Sequence, residues 1–172
     1  MTFTLIQGNA RAASDSAAVT PVSKIVTVFW GIVSYTRWPG EKGPLRVCLP
    51  ENNRQAMAIR DAAKVVKLGR RISVRTMPEK AESLCDVVYF SAMPADEVGP
   101  RLRRLAGAPI LTIGEGRAFC STGGMFCLFS GSGDGDTGEI AARFAANLDA
   151  TARSPLRINP QVLRLSKRGR DQ

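Results

Sequence analysis

The sequence predicts an α/β domain with a mixed sheet: a parallel β-α-β part, then a C-terminal antiparallel hairpin, flanked by helices. Three observations carry this. Short apolar runs suited to buried strands alternate with longer segments of helical spacing, which favours parallel pairing through crossovers. Two late strand-like segments flank a glycine-rich loop, which favours antiparallel pairing. And 172 residues with 44% hydrophobic and 23% charged content suit one domain with a core of its own.

Residues 1–21 show no periodic pattern. Ala10-Arg11-Ala12 has the small-x-small form that signal peptidase accepts, so this segment is expected to be the end of a secretory signal and a flexible linker. An ordinary polar leader is the alternative. The domain is expected over 22–168, with a basic disordered tail at 169–172. Ser23 is a candidate N-cap for a helix over 25–35, whose apolar residues 25, 28, 29, 32 and 33 share one face. Val26 and Trp30 lie off that face. A second cover is therefore expected, and both residues are candidate contacts in a homodimer.

Strands are expected at 45–49, before Pro50, at 72–76 by alternation, at 85–90 and at 110–113. Helical spacing over 54–66 and 95–106 fills the gaps. Segments 120–129 and 139–147 are the antiparallel pair. Short helices at 148–154 and 160–168 close the chain. No apolar run reaches the roughly 18–20 residues that span a bilayer.

Composition narrows the chemistry. With no His, neither a Ser-His-Asp or Cys-His nucleophile nor a His-ligated zinc can be built, so an enzyme is not expected. Lys and Arg number 24 against 15 Asp and Glu, a net charge of +9. The arginines are scattered, and only 164–170 is dense. No helix-turn-helix, zinc-finger or RNP-type aromatic pattern accompanies them, so no nucleic acid partner is expected. An acidic partner or anionic lipid headgroups suit such a surface better.

Four cysteines are the most informative feature. Cys48 and Cys85 sit on or beside strands expected to be buried. A two-residue turn at Gly123-Gly124 would set Cys120 opposite Cys127, within disulfide reach. Of three connectivities, 48–85 with 120–127 is the one this geometry favours. Zinc fits poorly without CxxC or His; free core thiols are the plain alternative. Gly133-Asp-Gly-Asp-Thr-Gly138 matches GxGxxG literally. It opens no helix, and its carboxylates repel a pyrophosphate, so a hairpin connection is expected there. Asp134, Asp136 and Glu139 supply too few ligands for a full calcium loop. No metal and no cofactor is implied. Arg37 and Trp38, with Arg157, are candidates for holding a small aromatic or anionic ligand, against the plainer reading of a packed indole and a solvated cation.

Residues 23–167 carry, in order, Ser34-Tyr-Thr-Arg-Trp-Pro39, Leu45-Arg-Val-Cys48, Leu84-Cys-Asp-Val-Val-Tyr-Phe90, Pro109-Ile-Leu-Thr-Ile113, Gly124-Met-Phe-Cys127, Phe144-Ala-Ala-Asn-Leu-Asp149 and Pro160-Gln-Val-Leu163. In order and spacing this set resembles the YfiR family. The resemblance implies a dimeric, non-enzymatic periplasmic regulator with two disulfides at positions matching 48–85 and 120–127. Such a protein represses YfiN, an inner-membrane diguanylate cyclase, through its periplasmic region, lowering cyclic di-GMP and biofilm formation. An outer-membrane lipoprotein, YfiB, relieves the repression. The implied partner-facing residues are Met125, Phe126, Ala145 and Thr151. Ala145 stands where the best-known member has an acidic residue, and Thr151 where it has Ile, so either a rewired contact or a different partner is expected. Phe126, at opposite parity to Cys127, is expected to be an outward anchor unless it is core. Redox state is expected to gate function through the disulfides.

Overall fold

A computed structural model describes residues 21–40, 43–77, 82–91, 93–132 and 140–166. The leader, the tail and the acidic glycine-rich loop fall outside the described residues. Helix α1 (Pro21–Ser34) begins two residues before Ser23, with a proline at its first position, where a missing N–H costs nothing. After it come β1 (Thr36–Arg37), β2 (Leu45–Leu49), α2 (Arg54–Ala62) and β3 (Ile72–Thr76). The Asn53 side chain accepts from Ala56 N at 2.8 Å and caps α2. A 3-10 turn (Glu82–Leu84) leads into β4 (Val87–Phe90), followed by α3 (Ala95–Leu105), β5 (Leu111–Glu115), α4 (Arg117–Ser121), β6 (Phe126–Ser132), β7 (Ile140–Ala146), α5 (Leu148–Ala152), β8 (Arg157–Ile158) and a 3-10 segment (Pro160–Ser166).

The main sheet has the order β3-β2-β4-β5-β6-β7. Its first five strands are parallel and β7 runs antiparallel to β6. The parallel part is a doubly wound arrangement, and such sheets carry helices on both faces. Alternation along each strand feeds two cores. Val47, Tyr89, Ile113, Phe126 and Leu128 pack with α1 and Ile59 of α2. Cys48, Val88, Phe90 and Cys127 pack with Val98, Leu102 and Leu105 of α3 and Phe119 of α4. A separate two-stranded sheet joins β1 to β8.

Two expectations are corrected here. Cys120 does not sit on a hairpin strand opposite Cys127. It lies on α4, and the antiparallel pair is β6 with β7. Trp30 is 5% exposed and is covered from within the chain: its indole N–H donates to Ile59 O at 3.2 Å, and its ring meets Phe29 edge-on at 5.1 Å. Val26 is half-buried against the same core. Helix α1 gains its second cover from α2 and from Leu165, which sits so close to Gly31 that a Cβ there would lie 2.7 Å away. Trp30→Lys is therefore expected to unfold the single chain, since it buries a charge and removes a large core side chain, a loss of about 3–5 kcal/mol or more. Urea unfolding measures it; unchanged stability with weakened self-association would restore the dimer reading.

Candidate functional site

The first candidate surface is the corner where β6 begins, β7 ends and α5 starts. Gly116, at φ +81°, turns the chain into α4. There Phe119 lies across two glycines: a Cβ at Gly114 or Gly124 would come within 2.4 or 2.0 Å of its ring. Close approach at these backbones draws α4 onto the sheet and brings Cys120 within 5.5 Å of Cys127 between Cα atoms, where the disulfide forms. Gly124→Ala is expected to displace Phe119 and cost about 1–3 kcal/mol, read by thermal unfolding.

Asn147 ties this corner together. Its Nδ2 donates to Cys120 O at 2.8 Å, its Oδ1 accepts from Ala150 N at 3.0 Å as the cap of α5, and its backbone N donates to Met125 O at 2.8 Å. Thr151 Oγ1 donates back to Asn147 O at 2.7 Å. Among the sequence-derived partner residues, Ala145 and Thr151 are half-buried at this corner. Phe126 and Met125 are core: Phe126 is 1% exposed, with its ring 6.0 Å from Phe144. The outward-anchor expectation for Phe126 fails because β6 is an interior strand with helices on both faces. The exposed apolar side chain here is instead Leu148, 74% accessible in the first turn of α5, beside the Asp149–Arg153 ion pair. Its sequence neighbourhood was legible, but a leucine opening a short helix gives no sign that it faces water.

The second candidate lies on the same amino-terminal rim of the sheet. Register places Arg37 of β1 directly opposite Arg157 of β8, an unfavourable like-charge pair. The two line a cavity of about 450 Å³ with Tyr35 and Asn159. Trp38 is not part of it. Its indole N–H donates to Asp86 O at 3.1 Å, while the Asp86 carboxylate holds Arg46 through Nη2 and backbone N, both at 2.7 Å.

At the carboxyl ends of the strands, where doubly wound sheets commonly take ligands, side chains meet each other. Tyr89 OH donates to Glu115 Oε1 at 2.7 Å and Asn53 Nδ2 to the same oxygen at 3.4 Å. Burial, then the charge of Glu115 and this hydrogen bond, push the Tyr89 phenol far above its ordinary value. The phenol stays protonated and serves as a donor.

A family model described as YfiR/HmsC-like matches residues 25–167, most of the chain and all but the first turn of the fold. The chain belongs to the YfiR/HmsC-like family. That membership supports a regulatory role in diguanylate cyclase signalling. Among solved structures, L-threonine-O-3-phosphate decarboxylase from Porphyromonas gingivalis superposes with a TM-score of 0.46 at 12% identity. The match covers 86% of this chain and 52% of that one, about half its length. Neither fold nor chemistry is transferred from it.

Both disulfides suggested by the sequence are present in this YfiR/HmsC-like chain, and no free cysteine remains. They differ in access. Cys48 and Cys85 are each 2% exposed, whereas Cys120 is partly open on α4. Thiol–disulfide exchange needs an approach to sulfur. A mild reductant is therefore expected to open Cys120–Cys127 first, which timed alkylation and mass mapping will show; simultaneous opening would contradict it. No helix among the described residues is long and apolar enough to cross a membrane.

Proposed function

We propose that this chain restrains an inner-membrane diguanylate cyclase of the YfiN kind from the periplasm, docking on its periplasmic region through the α5 corner. The observation that carries this reading is Leu148: an exposed leucine, within the motif whose family counterpart faces the partner, on a corner pre-ordered by a disulfide and by Asn147. A contact surface fixed before binding loses less entropy on association. Ala145 and Thr151 flank it, and Phe126 supports it from below. Opening Cys120–Cys127 would loosen the corner, so an oxidising periplasm favours repression. Relief by an outer-membrane lipoprotein of the YfiB kind, and a homodimer organised by surfaces other than Trp30, belong to the same proposal.

The test compares cyclic di-GMP in cells lacking the gene, cells with the wild-type copy and cells with Leu148→Asp at matched abundance. Deletion is expected to raise cyclic di-GMP and attachment. Leu148→Asp is expected to do much the same with stability within about 0.5 kcal/mol of wild type. Loss of such an anchor commonly costs about 2 kcal/mol or more, a thirtyfold drop in affinity. Unchanged cyclic di-GMP on deletion would end the repressor reading. The Arg37–Arg157 cavity favours a second reading, a small-ligand sensor, which thermal shifts with amino acids or aromatic vitamins test.

A further inference from the structure

We propose that the cleft between the end of α1 and the turn before β3 is a binding site for a small oxyanion of the phosphate class, held by Lys67 and Arg70 with Arg37 as a third cation. The cleft encloses about 330 Å³ and is lined by these three cations, Trp38, Ser34 and Leu68 among others. Among the described residues, no carboxylate lines it. Three positive charges around one small space repel one another, and a dianion is the simplest species that reverses the sign of that interaction.

Arg70 gives the sharper indication. Its Nε donates to Gly43 O at 3.2 Å, and its guanidinium stands 6.0 Å from the centre of the Trp38 ring. The planar group is thus fixed in place. Its Nη1 is closed off from water and finds no hydrogen-bond partner among the described residues. A charged donor shut away unpaired is costly, and a guanidinium fork is built to meet two oxygens of one oxyanion. Gly69, at φ +76°, supports the tight turn that puts Lys67 and Arg70 on the same cleft. Arg37 is anchored too, its Nη1 donating to Ser34 O at 2.7 Å and Thr36 O at 3.0 Å. The apolar part of the lining, Leu68 included, leaves room for the body of a phosphate monoester.

This goes beyond the repressor proposal and stands or falls apart from it. The test follows thermal unfolding and equilibrium dialysis of the full chain with inorganic phosphate and with glycerol 3-phosphate, against chloride at equal ionic strength. A saturable rise in Tm is expected, with affinity falling at least tenfold in both Arg70→Gln and Lys67→Gln. Arg103→Gln, the same charge change at an exposed site on α3, is expected to bind like wild type. If Arg70→Gln fails to fold, Lys67→Gln decides alone, since that side chain is exposed. Phosphatidylglycerol vesicles at the same phosphate concentration separate a lipid headgroup from a free anion; no co-sedimentation is expected. An absent or unsaturable shift, an equal loss in Arg103→Gln, or binding to vesicles alone would overturn the proposal.

Discussion

Removing the Cys48–Cys85 bridge by paired substitution to Ala is expected to lower the unfolding free energy by about 4 kcal/mol, the larger of the two disulfide losses. The bridge spans 37 residues, against 7 for Cys120–Cys127, whose removal is expected to cost about 2.5 kcal/mol. The difference comes from the unfolded chain, where a longer closed loop excludes more conformations. Location adds to it. Cys48 lies inside β2 and Cys85 just ahead of β4, so the bridge joins neighbouring central strands beneath α3. Ala at both positions avoids leaving a lone buried thiol. Urea unfolding under oxidising conditions, with equal m-values for both double variants, makes the comparison. A greater loss from the short bridge would show that native packing of α4, not loop closure, sets the ranking.

The strands were legible because their signals are local. Residues 45–49 and 72–76 match β2 and β3 end to end, set by an apolar run stopped at Pro50 and by alternation. Helix α3 ends at Leu105, one residue short of expectation. Helix α2 stops at Ala62, and the remaining residues to Val66 coil in turns. What escaped is held by distant contacts. Helix α4 has five residues and no side-chain cap; it exists because Phe119 finds Gly114 and Gly124 beneath it. Strands β1 and β8, two residues each, are defined only by one another. The disulfide pairing came out right although its supposed hairpin is absent, because α4, seated on Gly114 and Gly124, brings Cys120 to the same Cα separation from Cys127 on β6. At the site, Asn147 before a short helix carried an N-cap signal that sequence reasoning left unused, while the exposure of Leu148 carried none. Parity misled for Phe126. One face of a hairpin strand is usually wet, but β6 is sandwiched, and both faces are core.

Phe126→Ala is expected to cost about 3–5 kcal/mol, and its phenotype is expected to follow from lost protein and not from a lost contact. The ring is 1% exposed, sits in the α1-side core and tilts against Phe144. Its backbone pairs with Ile113 on one side and Ala146 on the other. Truncation therefore opens a cavity beneath an interior strand of the sheet, between β5 and β7, where neither neighbour can move in without breaking register. Domains commonly hold about 5–15 kcal/mol in all, so the loss consumes a large share and raises the unfolded fraction by roughly a hundredfold to a few thousandfold. Cellular abundance is expected to fall, and under the proposed function cyclic di-GMP is expected to rise in proportion to the missing protein. Restoring abundance by overexpression is expected to restore repression for Phe126→Ala and not for Leu148→Asp. That pairing separates the two roles. A stable, abundant Phe126→Ala protein that still fails to repress would mean the partner draws Phe126 out of the core, and the contact surface would then extend from α5 onto β6.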